Sequence, residues 1–177
     1  KFPDEPLSES ELAEAHKVFV DNVRQVAPYA REAGIEILLK PHTGNTATAE
    51  LLAQTIKDID APNVVACYDP GNVSFYEGLA PDRDLAPYAQ MTAHIVAKDH
   101  QGPRAHADFP VPGEGAVDFP AILSMLAKAG FAGIISVERA DGAPSEPLSA
   151  EELDVRLARA RRNLLDMAEK ANLGPVE

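Results

Sequence analysis

The chain has 177 residues, 45% of them hydrophobic and 25% charged, which is ordinary for a soluble globular domain. Its formal net charge of -12 would repel a phosphate backbone and so disfavours nucleic acid as a partner. A single cysteine, Cys67, rules out an internal disulfide, and no apolar run approaches the roughly 20 residues of a membrane span. We therefore expect a cytoplasmic protein without a membrane partner.

Helices and strands are predicted to alternate along the chain, because amphipathic stretches follow short apolar runs that end in polar residues. The first helix has a capping box at Ser8 and Glu11, and Pro28 should kink it or end it early. The next is expected to take Asn45 or Thr46 as its N-cap. The strands are predicted at residues 35–40, 64–69, 94–98 and 134–138. This order predicts an α/β fold with a parallel sheet.

Polar residues follow all four predicted strands. The four exits read Lys40-Pro41-His42, Asp69-Pro70-Gly71-Asn72, Lys98-Asp99-His100 and Glu138-Arg139. A structural sheet does not need charge at every exit, and an unpaired buried charge is costly. Clustering the charges in one pocket offsets that cost, so the exits are predicted to form one site.

Five segments carry a resemblance to a known family: GIEILLKPH, VVACYDPGN, HIVAKDH, VPGEGAVDF and GFAGIISVE. The most specific are the Gly-Glu-Gly turn at residues 113–115 and the later GFAGIISVE strand. Over residues 34–142 the sequence resembles the xylose isomerase-like TIM barrels, which include sugar phosphate isomerases and epimerases and the related apurinic endonucleases. The resemblance implies a (β/α)8 barrel.

A complete barrel of this type takes about 250 residues. We therefore expect residues 1–177 to be one domain: a helix within residues 1–33, then the last four βα units of the barrel at residues 34–172. Four strands leave sheet edges open, so the isolated chain is expected either to pair with a second copy as a homo-oligomer or to be poorly stable.

The resemblance also implies a metal site, which this chain alters. In the family, a Glu after the fifth strand, an Asp after the sixth, a His in the seventh and a Glu after the eighth hold a divalent metal. The two Glu residues move a proton between adjacent sugar carbons. Asp69 matches the Asp and Glu138 the final Glu, whereas Lys40 replaces the first Glu and Val96 replaces the His.

Two catalytic arrangements remain open from the sequence. In the first, the Lys40 ammonium pairs with Asp69 and Glu138 and polarises a carbonyl without a metal. In the second, His42 and His100 join Asp69 and Glu138 as ligands of a divalent Mn, Mg or Zn ion. A non-catalytic pocket is the third alternative.

Substrate contacts are expected from five residues. His42 matches a His that commonly follows the first Glu of the family, and Asn72 stands where many members have a substrate-contacting His. Lys98 and Asp99 lie where a strand opens onto the site. Arg104, in the long Gly- and Pro-rich loop that follows, is a candidate for contact with a substrate phosphate or hydroxyl.

The sequence thus predicts an isomerase or epimerase of a sugar or sugar phosphate. Glu138 would be the main base or acid, and Lys40 or a metal would stabilise the enediolate oxygens. A lyase or dehydratase acting on a keto-sugar begins with the same proton abstraction and is the first alternative. A non-catalytic sugar-binding barrel is the second.

Overall fold

The computed structural model describes residues 7–143 and 147–174, so the remaining residues of the predicted domain 1–177 lie outside the described residues. The strands are β1 Ile37–Leu39, β2 Val64–Tyr68, β3 Thr92–Ala97 and β4 Ile135–Val137. The helices are α1 Glu9–Glu32, α2 Ala49–Ile59, α3 Pro70–Asn72, α4 Pro81–Leu85, α5 Phe119–Lys128 and α6 Ala150–Lys170. The connecting turns are 3-10 segments at Gly44–Thr46 and Ala86–Met91 and a π-helical turn at Val73–Glu77.

The four described strands form one parallel sheet in the order β1-β2-β3-β4. Ile37 pairs with Val64, Cys67 with His94 and Ile95 with Ile135. Sequential parallel neighbours joined by helices are the arrangement found along the wall of a (β/α)8 barrel. The predicted parallel sheet and partial barrel are confirmed. Three of the strands are shorter than the apolar runs from which they were predicted.

The helix boundaries confirm some predictions and correct others. Ser8 and Glu11 form the predicted capping box of α1. The cap expected for α2 at Asn45 or Thr46 is wrong: both lie in the preceding 3-10 turn, and the Thr48 side chain accepts from the Leu51 N–H instead. Local sequence did not separate these candidates, because all three residues are favourable caps.

Pro28 does not end α1 early, since the helix continues to Glu32. A proline inside a helix removes one backbone hydrogen bond. Tertiary contacts hold this part of α1 in place. Ala27 is buried with 2% of its surface exposed, and its carbonyl accepts from Asn63 Nδ2 at 3.0 Å.

The two larger of three apolar clusters among the described residues lie between helices and one face of the sheet. One contains Leu52 of α2 with Val64 and Ala66 of β2. The other contains Tyr68 of β2 with α5, whose predicted inward residues are buried: Ile122, Leu123 and Leu126. Within the described ranges, no helix is both long and apolar enough to cross a lipid bilayer.

Side chains alternate between the two faces of each strand. In β3, Ile95 and Ala97 are fully buried in the cluster against the helices. Val96 and the following Lys98 therefore project from the opposite face, the one that lines the interior of a barrel. The same alternation applies to the other three strands and decides which residues meet at the carboxyl edge of the sheet.

Candidate functional site

Four charged residues occupy equivalent positions at the carboxyl edge of the sheet. Each is the first residue after its strand, and each projects from the face opposite the helices: Lys40 after β1, Asp69 after β2, Lys98 after β3 and Glu138 after β4. Parallel strands bring their carboxyl ends to one edge, so these side chains converge.

The four side chains form a ring in which ammonium and carboxylate groups alternate. Lys40 Nζ lies 3.1 Å from Asp69 Oδ2 and also contacts Glu138 Oε2. Lys98 Nζ lies 3.3 Å from the same Asp69 oxygen and 2.6 Å from Glu138 Oε1. The pairing of Lys40 with both carboxylates is the contact expected in the metal-free arrangement, and Lys98 adds a second cation.

Burial distinguishes the two carboxylates of this ring. The Asp69 side chain is 0% exposed and that of Glu138 is 40% exposed. Asp69 Oδ2 is buried and, among the described residues, has no polar partner other than the ammonium groups of Lys40 and Lys98, which compensate its charge. Glu138 is the carboxylate that a ligand entering from solvent can reach.

Charge and burial act in opposite directions on the pKa values of this ring. Burial raises the pKa of Asp69 against the opposing charges of Lys98 and Lys40. Burial also disfavours the charged form of Lys40, but the hydrogen bond with Glu138 and the charge of Asp69 outweigh it and raise the pKa of the lysine. For Glu138, burial is outweighed by hydrogen bonds from Lys40 and Lys98, so the pKa of Glu138 is lowered.

Lys98 is fixed by the helical turn that follows β2. Asn72 Oδ1 accepts from Lys98 Nζ at 2.8 Å, and the Asn72 amide donates to the Pro41 carbonyl at 2.7 Å. The Asn72 backbone N–H donates to Asp69 Oδ1 at 2.9 Å. Gly71 allows this packing, because a Cβ there would lie 2.5 Å from the Lys98 carbonyl oxygen. Asn72, predicted to bind substrate, is 3% exposed and positions Lys98.

His42 lies beside the ring, in contact with an aromatic side chain that the sequence analysis did not single out. His42 Nε2 is 2.8 Å from Tyr76 Oη, and the two ring centroids are 4.2 Å apart. Burial, followed by the charges of Lys40 and Lys98, holds the pKa of His42 below its ordinary value, so the imidazole is neutral at pH 7. A neutral imidazole next to a phenol suits contact with substrate hydroxyl groups.

Asp99 and His100 lie in the interior of the long loop at residues 99–117. Asp99 is 0% exposed, and its oxygens accept from the backbone N–H groups of His100, Gly113, Gly115 and Val117 at 2.8 to 3.1 Å. The carboxylate therefore closes the loop, and its oxygens are occupied by backbone groups.

His100 is also committed to the loop. Its Nδ1 is 2.8 Å from Ser74 Oγ and its Nε2 donates to the His106 carbonyl at 2.8 Å. The side chain packs edge-on against Phe75. Both ring nitrogens are thus engaged and 1% of the residue is exposed, so His100 has no nitrogen left to serve as the predicted metal ligand.

Two arginines flank the site differently. Arg104 is exposed, and its Nε donates to the Tyr76 carbonyl at 2.6 Å. Arg139 stacks on Phe109, with its Cζ 4.0 Å from the ring centroid, and donates from Nε to Asp141 Oδ1 at 2.8 Å. The same aromatic ring lies 5.9 Å from Lys98 Nζ. Phe109 was not predicted, because no local pattern marks a loop residue that returns to the sheet edge.

The profile of the xylose isomerase-like TIM barrel family matches residues 2–170, almost the whole chain. The chain belongs to this family. The resemblance stated from its segments is thereby confirmed, together with the α/β barrel architecture.

Other proteins of known sequence or structure agree with this family. The chain is 28% identical over 122 residues to the rhizopine catabolism protein MocC of Rhizobium meliloti, covering 60% of this chain and 37% of that protein. It is 26% identical over 155 residues to the inosose dehydratase of Clostridium beijerinckii, covering 76% and 51%. The chain thus spans about half the length, or less, of these curated relatives.

A solved D-tagatose 3-epimerase-like protein superposes with a TM-score of 0.73 and 20% identity, over 95% of this chain and 60% of that one. At this identity the likeness concerns the fold. It agrees with the sheet order and helix packing of a xylose isomerase-like barrel.

The described residues do not fit the divalent metal that the family resemblance implies. Among them, no group of three or more His, Cys, Asp or Glu side chains is arranged to hold a metal ion. In the predicted set of Asp69, Glu138, His42 and His100, the carboxylates contact two ammonium groups and His100 is bound within its loop.

Proposed function

We propose that this chain carries the acid–base residues of a keto-sugar isomerase or epimerase, which would act on a sugar or sugar phosphate through an enediolate. The observation that supports the proposal is the partly exposed carboxylate of Glu138 held between two ammonium groups at the carboxyl edge of the sheet. Such an edge is where barrel enzymes place their chemistry.

In the proposed reaction, Glu138 removes the proton from the carbon next to the substrate carbonyl. The C–H electrons form a carbon–carbon double bond, and the carbonyl π electrons move onto oxygen to give an enediolate. Lys40 stabilises the negative oxygen. The hydroxyl proton on the original carbon then moves to the enediolate oxygen, and Glu138 returns its proton to the former carbonyl carbon, which gives an isomer. Protonation of the original carbon by water from the opposite face gives an epimer, and the hydroxide that is left takes the proton from Glu138.

Glu138 is assigned as the base because Asp69 is fully buried behind both lysines. In the free site the lysines lower the pKa of Glu138, so the carboxylate is ionised but weakly basic. A substrate oxygen that draws the Lys40 ammonium away would weaken the interaction that lowers this pKa. The carboxylate would then become more basic when substrate is bound.

The Glu138→Gln variant tests this assignment, because an amide cannot accept the proton. We expect loss of about 100-fold or more in turnover, with an unchanged circular dichroism spectrum. Turnover is measured by NMR in D2O as deuterium entering the carbon next to the carbonyl of keto-hexoses and their phosphates. Glu32→Gln, an exposed change near the end of α1, is the matched control. Equal exchange rates in both variants would contradict the role of Glu138.

Dehydration is a second candidate, favoured by the match to the inosose dehydratase of Clostridium beijerinckii. There, the same proton abstraction would be followed by cleavage of a C–O bond on the next carbon, and the leaving hydroxide would take up a proton and depart as water. Mass spectrometry of the products separates the two. A product lighter by one water supports dehydration, and a product of unchanged mass supports isomerisation or epimerisation.

A further inference from the structure

The ring at the carboxyl edge contains more positive charge than a proton-abstracting carboxylate requires. Two ammonium groups, Lys40 Nζ and Lys98 Nζ, contact the same buried oxygen of Asp69 at 3.1 and 3.3 Å. They also contact the two separate oxygens of Glu138. We propose that this lysine pair takes the place of a divalent cation, so that the site carries a fixed double positive charge supplied by the chain itself.

The position of the pair supports this proposal. Asp69 Oδ2 is fully buried and, among the described residues, has no polar partner other than the two ammonium groups, at 3.1 and 3.3 Å. The oxygens of Glu138 converge on the same space. The lysines bridge Asp69 to Glu138, as one ion shared by both carboxylates would.

Charge balance supports it too. Two carboxylates and two ammonium groups sum to zero, which satisfies the requirement that buried charges be paired. A divalent ion placed among the same oxygens would lie within a few ångströms of two ammonium groups and would be repelled by both. The two lysines therefore supply the positive charge of a divalent ion and at the same time prevent such an ion from binding.

The two lysines differ in burial and in the number of oxygens they contact, so we assign them different roles. Lys98 is almost fully buried, and its three N–H donors face three oxygens, those of Asp69, Glu138 and Asn72. The Lys40 side chain is 31% exposed and has two such oxygens among the described residues. Lys98 thus anchors the carboxylates, and Lys40 has a donor left for an incoming substrate oxygen.

The proposal is tested by removing one of the two ammonium groups and titrating the full chain with Mn²⁺, followed by electron paramagnetic resonance and calorimetry. Lys40→Glu converts the ring to three carboxylates and one ammonium group. We expect this variant to bind one Mn²⁺ per chain at least about tenfold more tightly than the unaltered protein. The added Asp69→Asn change should abolish that binding.

Lys17→Glu makes the same charge change at an exposed position of α1 and should not create a site. If the unaltered protein binds one Mn²⁺ as tightly as Lys40→Glu does, and loses it with Asp69→Asn, the proposal is overturned. A folded Lys40→Glu chain that binds no better than the unaltered protein overturns it as well. Should Lys40→Glu fail to fold, Lys40→Gln is judged by the same comparison. No substrate is involved, so the result is independent of the role proposed for Glu138.

Discussion

At the scale of single residues, one position per strand decides the chemistry. Because side chains alternate between the two faces of a strand, Lys98 points to the site. Its neighbour Asp99 lies in the loop and accepts hydrogen bonds from four backbone N–H groups. Two consecutive charged residues thus have unrelated tasks. The sequence marks both as polar strand-exit residues, and their different roles follow from the face on which each lies.

The pKa of Glu138 is a residue-scale property that one substitution should change. Burial alone would raise this pKa, but hydrogen bonds from Lys40 and Lys98 lower it below its ordinary value. Lys40→Met removes one of the two opposing ammonium groups, so the pKa of Glu138 should rise. Carbon-13 NMR titration of the Glu138 carboxyl group measures the change, with the exposed Lys17→Met as control. An unshifted titration in Lys40→Met would disprove the coupling.

The same shift has a consequence for folding. Because the pKa of Glu138 is lower in the folded than in the unfolded chain, its pairing stabilises the fold above the ordinary Glu pKa. That contribution is lost as the pH falls through the lowered pKa. For Asp69 the effect on stability is opposite. Burial raises its pKa in the folded chain, so its ionisation destabilises the fold as the pH rises above the ordinary Asp pKa.

At the scale of elements, strands were easier to predict than the contacts between their loops. Each strand is an apolar run closed by a polar residue, so Lys40, Asp69 and Glu138 were assigned to one edge from the sequence. The roles of Asn72 and Asp99 were not, because they depend on partners distant in the chain, such as Pro41 and the turn at residues 113–117. Hydrogen bonds of that kind leave no periodic pattern.

The contact between the turn α3 and the end of β3 is the element-scale feature most open to test. A Cβ on Gly71 would lie 2.5 Å from the Lys98 carbonyl oxygen and 2.6 Å from Lys98 Cγ. Gly71→Ala should therefore push α3 from β3 and destabilise the fold by about 1–3 kcal/mol. Urea denaturation measures this, and Gly174→Ala, with open space around it, is the control. A change in the free energy of unfolding of no more than about 0.5 kcal/mol would show that α3 and β3 adjust to the added methyl group without loss of stability.

At the scale of the whole molecule, the two larger apolar clusters are joined through shared elements. In α2, Ala49 belongs to the cluster against α5 and Leu52 to the cluster against α1. In β2, Tyr68 belongs to the first cluster and Val64 to the second. Since one helix and one strand contribute to both, neither cluster can be lost without disturbing the other. The charged ring lies at the edge of the sheet that both clusters support.

This sharing predicts that the described fold unfolds as one unit. Leu52 is 2% exposed and Leu126 is 0% exposed, one in each cluster, and replacing either by Ala should cost about 2–5 kcal/mol because a cavity remains. Both variants should shift a single transition that circular dichroism and tyrosine fluorescence report at the same urea concentration. Leu79→Ala, at a leucine that is 44% exposed, should change the free energy of unfolding by no more than about 0.5 kcal/mol. Two separate transitions in either core variant would show that the clusters fold independently, and the ring could then lose its support on one side while the other persists.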